Sequence, residues 1–443
     1  MLSRSTPLAR RDSTQIAALA GIKLNSRKFG IKRVDQVRGT PWHVLRGNND
    51  FRWYFLGSVT SDTGSWVQNS AQVLLAYQLD HSVLTVGLVT FAQFTSPLLL
   101  GAWAGVAADR FGGRRTLLAT QLISASVAAS LAGLDFAGLL SISVLVVGAI
   151  ISGLAFTFAL PARNITVQRL VQADKLKPAY AMDSVSYNLG RALGPVLTLA
   201  MDLLGISFAW AFAANAFSFI VFSAILWVLN MHAEAEPERR SRVRDGFRIA
   251  CTDKRIRVLL LMVAAVTIAD DPILVLGPEL AKQMHASPAW SGWFIAALGA
   301  GTVCGSFRRS KHKPAIRLAA TALAALALFM LIFVFSHCMW VSCAAAVGAG
   351  ASCLVANSVT RAVLAEHAGP DHAAAVMAVW AIAWAGSKPF ASLIDGALGS
   401  WIGPQWTGLI LATPALIPVV MIVLLPDLVV WLGGTPTTAC TQS

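Results

Sequence analysis

The sequence predicts an all-α polytopic membrane protein with twelve transmembrane helices in two six-helix halves. Three observations carry this. Of 443 residues, 56% are hydrophobic and 13% charged, at a mean hydropathy of +0.63. A soluble domain carries about 25% charged residues, so this chain cannot coat a soluble surface, and disorder requires the opposite balance. After a polar start, apolar segments recur, each near the roughly 20 residues that a spanning helix needs. Basic residues cluster at every second connection, as cytoplasmic loops do.

The elements follow in order. Residues 1–50 read as a basic cytoplasmic tail, since ten of the 35 Lys and Arg lie in the first 48 positions. Transit peptides share this composition, and Ile16–Ile22 after Arg10-Arg11 resembles a short signal-peptide core, so both stay as alternatives. An N-terminal bundle, 51–230, holds segments 52–77, 84–107, 116–135, 139–161, 181–203 and 207–230. The linker 231–257 contains EAEPERRSRVRDGFR, a charge mix that cannot enter lipid. A C-terminal bundle, 258–428, holds segments 258–280, 289–307, 316–336, 339–364, 373–399 and 405–428, and a tail, 429–443, follows.

Charge fixes the expected topology. Eight basic residues lie between Arg239 and Arg257, five between Arg308 and Arg317, and four between Arg163 and Lys177. Three more are Arg110, Arg114 and Arg115, whereas the alternate connections hold only Lys282. Both termini are therefore expected to be cytoplasmic. The net charge of +13 reports topology rather than nucleic-acid binding. Six cysteines form no CxxC and no pairing with His, so neither a disulfide framework nor a metal site is indicated.

The halves echo each other. LGAWAGVAADRFGGRR ends the second segment and LGAGTVCGSFRRSKHK the eighth, so Gly101 and Gly105 correspond to Gly301 and Gly305. A repeat of this kind suits a transporter with a midplane site between its halves. Residues 105–115 place Gly105, Asp109, Arg110, Gly112, Arg114 and Arg115 in a tight turn loaded with an acid and several cations. This resembles the loop signature of the major facilitator superfamily, G-x-x-x-D-R/K-x-G-R-R/K. Such a charge cluster can form in one tilt of the two halves and break in the other, so these residues are expected to gate conformation, with Arg191, Gly194 and Pro195.

A narrower resemblance covers about 50–230. It rests on Gly64-Ser65-Trp66-Val67-Gln68, Gly87-Leu88-Val89, Gln93-Phe94, Leu160-Pro161-Ala162-Arg163, Asp183-Ser184 and Asn188-Leu189-Gly190-Arg191 through Gly194-Pro195. These look like the bacterial exporters that include the enterobactin exporter and macrolide-type efflux pumps. The resemblance implies proton antiport of small amphipathic molecules across the bacterial cytoplasmic membrane by a multi-pass monomer, with the proton gradient as energy source and no cofactor. Three departures stand out. Thr198-Leu199 replace a final glycine pair, Arg309 stands at the position of Asp109 in the second half, and the fourth segment is read as uncharged up to Pro161, without the Arg often found there.

An ionisable residue at the bilayer centre costs about 2.5–3.5 kcal/mol, so each one marks a site. Asp62, Ser65, Asn69 and Gln72 share one helix face through spacings of 3, 4 and 3. That stripe points to a wet cavity or to hydrogen bonding between helices, with Trp66 as a stacking or packing group. Asp270-Asp271 precede Pro272 and point about 100° apart. Asp62, Asp270 and Asp271 are the proton-coupling candidates. Lys388 needs a counter-charge among those three acids, and Trp380 and Trp384 form one aromatic face; these join the substrate-cavity candidates. Asp202 and Asp395 are expected at exposed outer helix ends.

The function expected is a secondary active transporter exporting a drug-like compound or siderophore, with lipid, protons and a small molecule as its partners. An uptake permease of the same fold is the alternative. A membrane prenyl- or acyltransferase would need a third acid after Asp270-Asp271 or a His–Asp pair, and a substrate-sensing receptor would have lost transport.

Overall fold

A computed structural model describes residues 43–172, 175–229, 243–306 and 316–424. The basic tail up to residue 42, the first part of the linker (231–242), the second-half basic turn with Arg309, and the C-terminal tail lie outside the described residues.

All regular structure among the described residues is helical. The first group comprises α1 (His43–Gly47), α2 (Asn49–Asp80), α3 (Val83–Phe111), α4 (Gly113–Phe136), α5 (Ile142–Leu170), α6 (Leu176–Leu203) and α7 (Ala209–Val228). The second comprises α8 (Val243–Thr252), α9 (Lys254–Asp270), α10 (Pro272–Val275), α11 (Gly277–Gln283), α12 (Ser291–Ser306), α13 (Ile316–Phe335), α14 (Met339–Ile402) and α15 (Pro404–Leu424). Within the described residues, each of the twelve expected segments falls on helix. Among the described residues, seven stretches are long and apolar enough to cross a membrane by length and composition.

Local chemistry sets the boundaries. The Asn48 side chain accepts a hydrogen bond from the Phe51 N–H at 2.9 Å, capping α2, and Asp253 caps α9 through Arg255 and Ile256. Gly112 alone links α3 to α4 at φ +84°, a backbone that favours glycine. Gly113 begins α4 because a Cβ there would lie 2.7 Å from Ile165 and 3.0 Å from the Ala162 carbonyl.

Three expected boundaries are corrected. The fourth segment does not stop at Pro161: α5 runs through it to Leu170, carrying Arg163 into the bundle. The seventh is not continuous. Proline lacks an N–H and clashes with the preceding turn, so Pro272 ends α9, and Pro278 lies in the first turn of α11. The tenth and eleventh segments lie in one 64-residue helical run, α14. A straight helix would hold Cys353 and Ser392 about 58 Å apart, yet both contact the adjacent pair Asp270-Asp271, so the run folds back on itself between them.

Helices α2 to α7 pack on one another, as do α9 and α12 to α15. The two groups meet through α3 against α14 and α6 against α12. Glycines allow both contacts. A Cβ on Gly87 would lie 2.5 Å from the Ser392 carbonyl oxygen, and one on Gly292 would lie 2.6 Å from that of Pro195. Contacts between the groups gather at the end where α2 gives way to α3. There the Leu84 N–H donates to Ser400 Oγ at 3.0 Å, Ser287 Oγ to Asp202 at 3.0 Å, and the Tyr77 hydroxyl to Glu279. The repeat is looser in packing than in sequence: a Cβ on Gly101 would meet open space, whereas Gly301 lies against the Val347 carbonyl.

The outer surface is apolar. On α7, Trp210, Phe217, Ile220 and Trp227 are exposed while Phe212, Phe219 and Phe222 are buried. A helix apolar all round suits lipid on one side and protein on the other.

Candidate functional site: two buried charge clusters beside a polar cavity

The first cluster joins α2, α5 and α6. Arg163 Nη1 lies 2.6 Å from Asp62 Oδ1, and Nη2 donates to Asp183 Oδ1 at 2.8 Å and Ser58 Oγ at 2.8 Å. Ser186 donates to Asp62 Oδ2 at 2.6 Å, and the Tyr54 hydroxyl to Asp183 at 3.1 Å. A planar guanidinium fork suits two carboxylates; the single nitrogen of a Lys does not. The helices can approach because α6 presents Gly190 and Gly194: a Cβ on either would lie 2.7 Å from the Asp62 carbonyl carbon or 2.5 Å from Trp66 Cβ.

This cluster borders a cavity of about 90 Å³ lined by residues of α2 to α7. Ser65, Asn69, Gln93 and Gln121 supply polar groups, and Trp66 and Phe94 supply aromatic faces. Its amides are paired: Gln93 donates to Asn69 at 2.8 Å and Asn215 to Gln68 at 2.8 Å. Asp62, Ser65 and Asn69 therefore share the cavity as their spacing predicts. Gln72 does not line it; its carboxamide is buried without a hydrogen-bond partner.

The second cluster sits where α9 breaks. Asp270 and Asp271 diverge, as adjacent helical residues must. Asp270 Oδ2 lies 3.6 Å from Arg191 Nη2 of α6 and accepts a long contact from the Cys353 thiol at 3.6 Å. Asp271 lies 3.5 Å from Lys388 Nζ and accepts from Ser392 Oγ at 2.6 Å. Lys388 thus has Asp271, not Asp62 or Asp270, as its counter-charge, and its ammonium also lies 4.8 Å from the Phe94 ring centre. Arg191 does not pair with Asp183: besides Asp270 it meets the Trp66 ring at 5.7 Å, and Trp66 packs edge-on against Tyr187 at 5.8 Å. Arg191 therefore ties the aromatic wall of the cavity to the acids of the second group.

Trp380 and Trp384 stack at 6.1 Å with planes 2° apart, and the Arg361 guanidinium lies 4.6 Å over Trp380. Neither indole lines the polar cavity. The signature residues lie away from it, at the α3–α4 turn: Arg110 covers the Phe111 ring at 5.7 Å, Arg114 donates to the Trp227 carbonyl, and Arg115 is exposed. Gly105 and Asp109 are in the last turns of α3. Gly194 and Pro195 sit mid-way along α6, facing α2 and α12.

Sequence reasoning misplaced two residues. Arg163, expected among the loop cations, lies inside the bundle on α5 against Asp62 and Asp183. Asp395 was expected at an exposed helix end, but it is completely buried with neither carboxylate oxygen hydrogen-bonded. Its cover comes from α3, which packs against α14 there through Gly87 and Gly396, a contact that no local pattern announces.

Chemically, the two clusters hold five carboxylates and three cations inside an apolar bundle. Among the described residues, the Arg191–Asp270 ion pair spans the two helix groups and must break if they separate.

The comparisons agree with this architecture. A family described as transmembrane secretion effector matches residues 39–432. The staphyloferrin A transporter of Staphylococcus aureus is 26% identical over 224 residues, covering 48% of this chain and 55% of that protein. The multidrug resistance protein MdtH of Salmonella arizonae is 26% identical over 197 residues, covering 44% and 47%. The chain thus spans about half the length of these relatives. Among solved structures, the nucleoside transporter NupG superposes with a TM-score of 0.66 at 12% identity, covering 85% of this chain and 98% of that one. A D-xylose–proton symporter gives 0.64 at 13%, covering 84% and 96%. At such identity these two speak for the fold alone.

Proposed function

The chain belongs to the transmembrane secretion effector family of the major facilitator superfamily, and from that premise we propose that it exports a small amphipathic molecule, drug-like or siderophore, by proton antiport with alternating access. The observation that carries the proposal is the Arg191–Asp270 pair. It crosses between two helix groups, at 3.6 Å, beside a cavity that contains Asp62. A carboxylate at membrane depth that must exchange its cation for a proton or a substrate when the groups rock is what coupling requires.

Asp62, Asp270 and Asp271 are the acids that exchange protons in this reading. Ser65, Trp66, Asn69 and Lys388 face the substrate path, with Gln72, Trp380 and Trp384 supporting its walls. Gly105, Asp109, Arg110, Gly112, Arg114, Arg115, Gly194 and Pro195 serve the tilt, and Arg191 links tilt to charge. Both termini face the cytoplasm of a bacterium, following the basic connections, and the unit is a monomer. The halves are those expected from the sequence, 51–230 and 258–428. The energetics suffice: one charge moved through 100 mV gains about 2.3 kcal/mol, equivalent to a roughly 50-fold gradient.

Export is supported by the secretion-effector description and by the relative named as a multidrug resistance protein. Uptake of a small metabolite is the second reading, favoured by the shared fold with a D-xylose–proton symporter. Expression in a host lacking its own efflux systems separates them: export predicts lower accumulation of a fluorescent amphipathic cation than in control cells, uptake the reverse.

A further inference from the structure

We infer that Asp271 and Asp395 form a buried carboxyl pair that holds one proton between them. The inference deepens the proposed function by placing a proton site, and it rests on that reading only for what the proton does in transport.

Asp395 is 0% exposed and Asp271 1% exposed. Asp271 has a hydroxyl donor, Ser392, on Oδ2 and the Lys388 ammonium 3.5 Å from Oδ1. Lys388, Ser392 and Asp395 stand at i, i+4 and i+7 on one face of α14, so the face that meets Asp271 through Lys388 and Ser392 also carries Asp395, whose two carboxylate oxygens have no hydrogen-bond partner. An ionised carboxylate only accepts, so two ionised groups on this face would supply no donor to each other. A single proton supplies the missing donor, and two carboxylates sharing a site do not both ionise.

Charge leads to the same result independently. The ion-paired side chains at this junction are Asp270 with Arg191 and Asp271 with Lys388, which leaves Asp395 as the acid without a cation. Among the described residues, α10, which is Pro-Ile-Leu-Val, and the Val83, Leu84 and Gly87 stretch of α3 add no charge. A buried carboxylate that lacks both cation and donor neutralises rather than remain charged.

The position gives the proton a route. Asp395 adjoins Gly396, and a Cβ on Gly396 would lie 3.1 Å from Gly87 Cα, so the pair lies behind the α3–α14 contact. Parting that contact bares the proton to the end where α2 gives way to α3. In the export reading, this is where the proton enters.

The test is infrared spectroscopy of the purified full chain in detergent at neutral pH, reading the C=O stretch of a neutral carboxylic acid and its shift in deuterated water. The wild type should show such a band. Asp395→Asn and Asp271→Asn should each abolish the component that Asp62→Asn retains. Retention of the full band in Asp395→Asn overturns the inference. So does a wild-type protein with no neutral carboxyl band, a reading that holds even if the variants do not fold. The band reports occupancy, not transport, so a failure of proton-coupled export would leave it in place and the two failures are distinguishable.

Discussion

Replacing Arg163 with Met strands two acids at once. The Arg163 side chain is 13% exposed, against 10% for Asp62 and 20% for Asp183, and its guanidinium meets both carboxylates and Ser58. Removing one partner of a buried ion pair costs about 3–5 kcal/mol. The partial exposure of Asp183 places Arg163→Met near the lower end, about 3 kcal/mol. Arg163→Lys keeps the charge but cannot fork to both acids, so its loss falls between wild type and Met. Adding Asp62→Asn and Asp183→Asn to Arg163→Met removes the stranded charges and should recover more than half of the loss, a coupling that a mutant cycle isolates. The assay is denaturant titration of the purified protein, followed by circular dichroism. An Arg163→Met protein that unfolds with the wild type, or a triple variant no more stable than Arg163→Met, would refute the reasoning.

Further outcomes follow from packing and charge. Gly190→Val puts a branched side chain where a Cβ already lies 2.7 Å from the Asp62 carbonyl carbon, and overpacking of this kind costs about 1–3 kcal/mol; the yield of monodisperse protein should fall. Gly87→Val drives α3 from Ser392 and Gly396, so a Cys placed at Ser400 should react faster with a membrane-impermeant maleimide added from that side. Arg191→Met leaves Asp270 without its cation, and transport should lose its response to pH while the Asp62–Arg163 pair keeps the fold intact. Trp66→Ala removes a cavity wall that also packs edge-on against Tyr187, weakening apparent substrate affinity more than maximal rate.

The helical class and the burial of Asp62 and Asp270 were legible because hydropathy and charge are summed along the chain. Partner choice was not. Lys388 and Asp271 are 117 positions apart, and only the reversal within α14 brings Ser392 and Lys388 to the break at Pro272. Arg163 was hidden by an over-simple rule. Proline interrupts a hydrogen bond but does not stop a helix held on both sides by neighbours, so α5 continued through Pro161 and took a loop cation inside. Asp395 shows the reverse error, since nearness to a helix end says nothing about what lies across from it. The stripe on α2 was read correctly through Asn69 because a period of 3.6 fixes a face; Gln72 shares that face but lies beyond the cavity.

The central claim is tested most directly in sealed vesicles containing the purified protein, with a fluorescent amphipathic cation and a pH-sensitive dye recorded together. The account predicts that an imposed proton gradient moves the cation against its own gradient while protons move the opposite way. It also predicts that Asp62→Asn, Asp270→Asn or Asp271→Asn breaks that exchange in at least one case. Cation movement indifferent to both the pH gradient and the membrane potential, or full proton-coupled exchange in all three variants, would contradict it.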